Sequence, residues 1–432
     1  MIKIYVITLG CPKNLVDSEK IIGIVGSSGY AVTTDMREAD YVIVNTCSFI
    51  KPAFLEAKSV ISKLKKLKKK FSFKIIVAGC LPARSSEDLF KDIDIDGVIG
   101  PYDILRMPEL INKIEQGKRV NIVERKHIRH YCKVPRVIST WPYAYLKITE
   151  GCSNMCSYCT IPSIRGSLVS FSEKEILYEA EFLFQSGIKE IIIVGHDITS
   201  YGRDTGQYAI VQLLKKIADI GFPWIRLLYL HPTGITDELL ELIDTNSCFC
   251  KYLDIPIQHI NPYILREMNR PVMDYRKFFE HIRNSIKGVC LRTTLMVGFP
   301  GETDRIFEEL LGFVKEIRFE RLGAFIFSPE KNTKASLMPC QVPYKTKNLR
   351  LRHLINVQKE INKQISSSFV HSIVDVIVDE KKNNYFEGRT RMDAPDIDCK
   401  VKFKGSVNPG DIVKIRVNKS SPYVLYGKIL SS

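Results

Sequence analysis

The 432-residue sequence lacks any apolar run close to the roughly 20 residues that span a bilayer. Its start, from Met1 to Val6, leads directly into a strand-like segment and has no apolar core of a secretory signal. It also lacks the composition of disordered or fibrous chains, because 45% of its residues are hydrophobic and 26% are charged. These absences predict a globular cytoplasmic protein with no membrane contact.

The sequence is also short of acidic residues, with 48 Asp and Glu against 63 Lys and Arg, and its formal net charge is +15. A basic chain suits an acidic or phosphate-rich partner such as RNA or a ribosome. The same excess of positive charge could also serve only to keep the protein soluble. The net charge of the whole chain does not show where on the surface the basic residues lie. The run from Lys63 to Lys70 is interpreted as a solvated helix face.

Cysteine, in contrast, is plentiful, with 12 residues. The cytosol keeps thiols reduced, so cysteines in a cytosolic chain indicate metal binding rather than disulfides. The length exceeds that of one ordinary core and predicts about two or three domains.

Three of these cysteines, Cys152, Cys156 and Cys159, lie within one short loop. Cubane iron-sulfur clusters usually take four cysteines, so three nearby thiolates would leave one iron open for a substrate or cofactor. A closed zinc site completed by a distant His or Cys, or three unrelated cysteines in a turn, are the alternatives at this point.

A second set of three cysteines follows three apolar runs in the first 120 residues. Cys11, Cys47 and Cys80 each come directly after a run typical of a buried parallel strand. Ligands of such sheets lie beyond the carboxyl ends of the strands, so the three thiols are expected to meet at one edge. Any one of them alone would pass for a buried core cysteine.

From about residue 143 to 334, strand and helix patterns alternate, which predicts an open partial TIM-type barrel of six βα units. The three-cysteine loop follows the first predicted strand, at the end where such barrels carry their chemistry. The predicted strands are 144–149, 190–194, 224–230, 252–255, 289–297 and 323–327.

The remaining segments complete the predicted organisation: an N-terminal three-layer parallel-sheet domain at 1–120, the barrel core at 138–365 and a small all-β barrel at 366–432. A basic helix is predicted over 343–364. The linker, roughly 120–142, holds His127, His130 and Cys132, to which no role is assigned.

The loop from Gly151 to Cys159 and the residues after it resemble the radical S-adenosylmethionine enzymes. In that superfamily the open iron binds S-adenosylmethionine, which is then cleaved to a 5′-deoxyadenosyl radical that removes an unreactive hydrogen atom. The cofactor carries the difficult chemistry and the protein orients it.

The order of the three domains is similar to that of the methylthiotransferase family, which ends in a TRAM domain. The resemblance implies two [4Fe-4S] clusters, an auxiliary one on Cys11, Cys47 and Cys80 and the radical one on the loop cysteines. Local segments resemble the ribosomal-protein branch, called RimO, rather than the tRNA branches. These segments are 9–19, 252–259, 268–271, 321–330 and 388–398.

The resemblance further implies methylthiolation of the β-carbon of an aspartate in the decoding-centre protein of the small ribosomal subunit, with S-adenosylmethionine as radical source and methyl donor. An external electron donor, a sulfur donor and a monomeric state are expected. A tRNA adenosine methylthiotransferase and a non-catalytic iron-sulfur carrier or redox protein are the alternatives.

Four residues are predicted to contact S-adenosylmethionine: Tyr158, Asp197, Gln258 and Gly298. Each residue also has an explanation that needs no ligand. Tyr158 could be a packed aromatic residue, Asp197 an exposed acidic residue in a turn, Gln258 a polar residue with its hydrogen bonds satisfied, and Gly298 part of an ordinary turn. Some positions depart from the family pattern without touching a predicted ligand: His196, His231, Asn332 and Cys399.

Overall fold

In the computed structural model, which describes residues 1–124 and 134–430, the chain begins with a parallel sheet of six strands in the order β2-β1-β3-β4-β5-β6. The linker residues His127, His130 and Cys132 lie outside the described ranges. The strands are β1 (Lys3–Thr8), β2 (Ala31–Val32), β3 (Tyr41–Thr46), β4 (Lys74–Gly79), β5 (Gly97–Ile99) and β6 (Val120–Ile122).

Helices cover both faces of this sheet: α1 (Pro12–Ser27), α2 (Lys51–Phe71), α3 (Cys80–Lys91) and α4 (Met107–Glu115). Successive strand residues point to opposite faces, so Ile43 packs with α1 and α4 whereas Val42 packs with α2 and α3. The result is the predicted three-layer domain. Because β1, β3 and β4 are neighbours, their carboxyl ends lie side by side.

The central part is a second, wholly parallel sheet in the order β14-β13-β12-β11-β10-β7. It confirms the predicted open barrel of six strands. Its strands, with the small β8·β9 pair, are β7 (Tyr143–Lys147), β8 (Thr149–Glu150), β9 (Val169–Ser170), β10 (Glu190–Val194), β11 (Trp224–Leu227), β12 (Phe249–Asp254), β13 (Cys290–Val297) and β14 (Arg321–Ile326).

The helices of this part follow the predicted alternation, and the long basic helix runs to Ser368. They are α5 (Ile161–Arg165), α6 (Glu173–Gln185), α7 (Ile210–Asp219), α8 (Asp237–Thr245), α9 (Pro262–Glu267), α10 (Tyr275–Ser285), α11 (Asp304–Ile317) and α12 (Tyr344–Ser368). Within the described ranges we found no helix whose length and hydropathy would suit a membrane span.

The C-terminal part is a closed five-stranded barrel in the order β15-β16-β17-β19-β18, as predicted for a small all-β domain. Val376, Val401, Phe403 and Ile415 fill its interior. Its strands are β15 (Ile373–Lys381), β16 (Phe386–Thr390), β17 (Lys400–Lys404), β18 (Ile412–Ser421) and β19 (Val424–Ile429).

Buried ion pairs attach this small barrel to the amino ends of the central strands. Arg389 lies 2.6 Å from Glu190, the first residue of β10, and Arg321, the first residue of β14, donates to Asp393 at 2.9 Å. All four side chains are buried. The small barrel therefore sits at the end of the central sheet opposite to the loops that follow its strands.

Helix α1 joins the N-terminal sheet to the central barrel. Its apolar face packs on the first sheet, and its charged side chains reach the central barrel: Asp17 contacts Lys147 of β7 at 2.6 Å, and Lys20 contacts Glu179 of α6 at 2.8 Å. Buried charges are tolerated when they are paired in this way. The two domains thus share one buried polar layer.

Gly23 of α1 lies against the chain that leads into the barrel. A Cβ here would come within 2.2 Å of the Pro135 carbonyl oxygen, whereas a Cβ on Gly26 of the same helix would meet nothing within 4 Å. We expect Gly23→Ala to lower the free energy of unfolding by about 1–3 kcal/mol through overpacking. Gly26→Ala is the matched control, and it should raise stability because Ala is the better helix former. Denaturant unfolding of both variants measures this, and equal stabilities would contradict it.

Candidate functional site

A cavity of about 350 Å³ lies where the carboxyl ends of the two parallel sheets face each other, and all six predicted ligand cysteines line it. The two sets are far apart in sequence, and no local pattern links them. The fold nevertheless brings both sets to one cavity. Their role as cluster ligands stays a prediction, and the surroundings of each set bear on it.

The first set sits close to the backbone of the N-terminal sheet. Gly10 has φ of +103°, and a Cβ on it would lie 2.5 Å from Cys47 Cβ, so only glycine permits this approach. Cys11 is the N-cap residue of α1, a helix with no acidic residue in its first turn. The first turn of this helix therefore places no carboxylate beside the thiol.

Arg165, at the end of α5, reaches across from the barrel to the first set. Its Nε lies 3.2 Å from Cys80 Sγ, and its Nη2 donates to Asn14 at 3.0 Å. Its Nη1 lies 3.0 Å from Asp17 and 3.2 Å from Glu150. The buried guanidinium of Arg165 thus links Cys80 of the first set to Glu150, which immediately precedes the loop of the second set.

Burial raises the pKa of the Cys80 thiol to about 12, although the positive charge of Arg165 opposes the shift. Metal binding requires the thiolate, and a cationic centre beside a buried thiol favours its deprotonation. A buried thiol next to a fixed guanidinium is therefore suited to an iron-bound thiolate.

The second set is held by the segment after α9, which the sequence had marked only as resembling one family branch. The Met268 carbonyl accepts from the Ser157 N–H at 3.0 Å, and the Asn269 side chain donates to the Met155 carbonyl at 3.0 Å. The Arg270 guanidinium faces Cys156. This segment therefore shapes the cysteine loop.

Burial raises the pKa of Cys152 to about 11 and that of Cys159 to about 12, so these thiols also need a cationic partner to ionise. Among residues 1–124 and 134–430, no three His, Cys, Asp or Glu side chains are placed to bind a single metal ion. In a cubane cluster each thiolate binds a different iron atom. The spread of three thiols around one cavity fits such a cluster.

Three of the four predicted S-adenosylmethionine contacts line the cavity: Tyr158, Asp197 and Gln258. Gly298 does not line it, because Lys347 packs so closely that a Cβ on Gly298 would lie 2.3 Å from Lys347 Cγ. The structure therefore places this glycine at a helix contact, and its predicted cofactor role has no support from the cavity.

The three cavity-lining residues differ in how far their polar atoms are already used. Asp197 accepts hydrogen bonds from Asn154, Thr199 and Ser200, and therefore shapes its own loop. Gln258 has φ of +70°, and its buried Oε1 has no hydrogen-bond partner among the described residues. An unpaired buried acceptor is costly, so Gln258 is the residue best placed to receive a ligand.

Tyr158 forms part of the apolar wall, with its ring edge-on to Phe299 at 6.5 Å between centroids. Burial raises the pKa of its phenol well above the ordinary value, and the neighbouring Cys156 raises it further. The phenol stays neutral and can donate a hydrogen bond.

Several cavity residues were missed at the sequence level. Lys13 lies two residues after Cys11 and Arg165 six residues after Cys159, and this proximity to predicted ligands was an available signal. No sequence signal marked Tyr229. His196, noted as a departure from the family, also lines the cavity. Burial lowers the pKa of His196 well below its ordinary value, and the charge of Lys13 lowers it further, so its ring is neutral.

Comparison with protein families divides the chain into three matched regions. Residues 3–100 match the "Uncharacterized protein family UPF0004", residues 146–314 match the "Radical SAM superfamily" and residues 370–430 match the "TRAM domain". The first region contains Cys11, Cys47 and Cys80, and the second contains the other three cavity cysteines.

Solved structures share the fold of most of this chain. The methyltransferase TsrM from Kitasatospora setae, with cobalamin and a [4Fe-4S] cluster bound, superposes with a TM-score of 0.58 at 14% identity, over 78% of this chain and 77% of that one. The cobalamin-dependent enzyme OxsB has a TM-score of 0.53 at 13% identity, over 84% and 56%. At these identities the likeness concerns the fold.

Curated relatives match along the whole length. The "Ribosomal protein uS12 methylthiotransferase RimO" of Geotalea uraniireducens is 42% identical over 99% of this chain and 98% of its own. The protein of the same name from Desulforudis audaxviator is 39% identical over 100% and 97%, and that from Geobacter sulfurreducens is 42% identical over 99% of both. The chain therefore belongs to the RimO family of radical S-adenosylmethionine methylthiotransferases.

Proposed function

We propose that this chain installs a methylthio group on the β-carbon of an aspartate in ribosomal protein uS12, the protein named for its relatives. The observation that carries the proposal is the shared cavity, which all six cysteines line. Radical formation and sulfur delivery must both act on one carbon atom. Two sites that open into one space meet that requirement.

Cys152, Cys156 and Cys159 would hold the radical cluster, and Cys11, Cys47 and Cys80 the auxiliary cluster. When bound, the clusters and S-adenosylmethionine supply the radical, the sulfur atom and the methyl group. The chain itself holds the two sites at a fixed separation, because Arg165 and α1 tie the N-terminal sheet to the barrel.

The cavity wall is largely apolar between the two cysteine sets, and this property protects the reaction. Phe49, Ile161, Leu230 and Phe325 contribute to the wall. They reduce the contact of bound groups with water. The target carbon has no proton acidic enough for a general base, so hydrogen-atom removal is the chemistry that the proposal assigns to this cavity.

The small barrel lies at the other end of the central strands from the cavity. We therefore propose that it contacts uS12 or the ribosome at a distance from the modified aspartate. A monomer that takes electrons and sulfur from separate donor proteins is the simplest working unit.

The direct test is anaerobic reconstitution with iron and sulfide, followed by S-adenosylmethionine, a reductant and, in parallel, uS12 and unmodified tRNA. Mass spectrometry should show a methylthio gain on one aspartate of uS12 and none on tRNA. A gain on tRNA adenosine would instead favour the tRNA branches. Release of 5′-deoxyadenosine with neither product would leave the radical chemistry in place and reject uS12 as the substrate.

Gln258 provides a sharper test of the cofactor site. We expect Gln258→Ala to weaken S-adenosylmethionine binding about tenfold, because it removes the unpaired acceptor on the cavity wall. Calorimetric titration of the reconstituted protein measures the Kd. Gln116→Ala, at an exposed position in the N-terminal domain, is the control and should leave the Kd unchanged. An unchanged Kd in Gln258→Ala would assign this glutamine to the fold alone.

A further inference from the structure

Lys13 is a buried cation on the cavity wall. It is the second residue of α1 and is only 7% exposed. Its Nζ lies 3.6 Å from the centroid of the Tyr229 ring. Within residues 1–124 and 134–430 its side chain forms no ion pair. Burial of an ammonium group is costly unless an anion or a ring compensates it.

Most hydrogen-bonding atoms of the other charged groups on the wall are already engaged. Arg165 contacts two carboxylates and Cys80, Asp197 accepts from three side chains, and Arg270 donates to the Pro256 carbonyl. His196 is neutral. Two cations on the described wall therefore remain available to an anionic ligand: Lys13, and Arg270, whose Nε has no hydrogen-bond partner among the described residues. Arg270 faces Cys156 of the second set, whereas Lys13 adjoins the first set, which is proposed to deliver the sulfur atom.

Tyr229 holds Lys13 in place at a cost in backbone strain. Its φ is +64°, a conformation that a bulky residue adopts rarely. Its N–H donates to the Asp254 carboxylate at 3.1 Å, and its carbonyl accepts from Ile198 N–H at 3.2 Å. Such strain concentrates at functional positions, and here it places an aromatic face under a buried cation.

We propose that Lys13 binds the side-chain carboxylate of the target aspartate. The proposal rests on the function proposed above, because an aspartate substrate brings one negative charge into this cavity. Its carboxylate is one bond from the β-carbon. An ion pair with Lys13 would therefore fix the β-carbon and its hydrogens beside the first cysteine set, to which Lys13 is adjacent in sequence. An uncharged substrate would gain nothing from Lys13.

The test compares Lys13→Met, which keeps the chain length and removes the charge, with the wild type. Both are reconstituted and assayed on uS12 and on uS12 whose target aspartate is replaced by asparagine. Lys58→Met is the control, because Lys58 is an exposed lysine of α2 that also stacks on an aromatic ring, at 4.6 Å from Phe54. Iron content, the Kd of S-adenosylmethionine and 5′-deoxyadenosine release without substrate are measured alongside.

We expect Lys13→Met to raise KM for the aspartate substrate about 100-fold, as for loss of one partner from a buried charge pair. Its preference for aspartate over asparagine should fall to within about threefold. Iron content, cofactor Kd and substrate-free deoxyadenosine release should match those of Lys58→Met.

Any one of the following outcomes would overturn the assignment. Equal losses on both substrates, or a fall in iron content, would mean that Lys13 neutralises the auxiliary cluster. A weaker cofactor Kd would mean that it binds the carboxylate of S-adenosylmethionine. If the wild type modifies uS12 and Lys13→Met does so equally well, the role assigned to Lys13 is rejected and the proposed function stands. Failure of the wild type to modify uS12 would reject the proposed function and the aspartate partner together.

Discussion

Replacement of Cys47 by alanine is expected to abolish methylthio transfer and to leave cleavage of S-adenosylmethionine intact. Replacement of Cys156 is expected to abolish both. The two residues line the same cavity but belong to different cysteine sets, which different domains carry. If each set holds one cluster of four irons, each variant should retain about half of the iron of the wild type.

The measurements are iron content, 5′-deoxyadenosine release under reduction and the mass of uS12 after incubation. Cys340→Ala is the control, since Cys340 is an exposed cysteine that does not line the cavity. It should match the wild type in all three. If Cys47→Ala lost the auxiliary half of the iron and still modified uS12, the division of labour between the two sets would be wrong.

The sequence predicted the two cysteine sets because each depends on a strong local signal. Cys11, Cys47 and Cys80 follow buried strands whose apolar runs are readable one at a time, and parallel strands necessarily end at one edge. The adjacency of β1, β3 and β4 in the sheet then completes the cluster of thiols. The fold class was predictable for the same reason.

The contacts between domains were not predictable, because they depend on charges that a sequence reader assigns to the surface. Arg389 and Asp393 lie in the segment 388–398, which resembled a branch whose members meet a protein substrate. The structure instead buries both against the amino ends of the central strands. The sequence alone does not show that an arginine is buried, because burial depends on an ion-pair partner that can be distant in the chain. Here the partner of Arg389, Glu190, is about 200 residues away in sequence.

Gly298, a turn glycine predicted to contact the cofactor, is a position where the structure offers a second explanation for the residue. Its left-handed φ of +73° and the close packing of Lys347 explain the glycine without any ligand. The close approach that glycine permits is real, but the neighbour is a helix side chain. Sequence alone does not distinguish the two kinds of neighbour.

Arg165→Met is expected to lower the free energy of unfolding by about 3–5 kcal/mol, because it leaves two buried carboxylates, Asp17 and Glu150, without one of their cationic partners. It should also reduce iron at the first cysteine set more than at the second. The guanidinium touches Cys80 Sγ, and its charge supports the anionic thiolates that an auxiliary cluster needs.

A matched control separates these two effects. Arg389→Met removes an equally buried arginine that contacts Glu190 at 2.6 Å and Asp379 at 2.8 Å, at the end of the barrel remote from the cavity. It should destabilise the protein to a similar extent and keep both clusters in equal amounts. Denaturant unfolding reports the first effect, and iron analysis with electron paramagnetic resonance of the two clusters reports the second.

If Arg165→Met and Arg389→Met lost stability equally and both kept their clusters, Arg165 would be only a structural cross-link between the domains. A selective loss of the auxiliary cluster in Arg165→Met would have a different meaning. Arg165, which lies in the barrel after the cysteines of the second set, would then also be required for binding of the auxiliary cluster by the first set. Neither domain could be loaded independently of the other, and a chain with its N-terminal domain displaced would lack sulfur delivery while still cleaving S-adenosylmethionine.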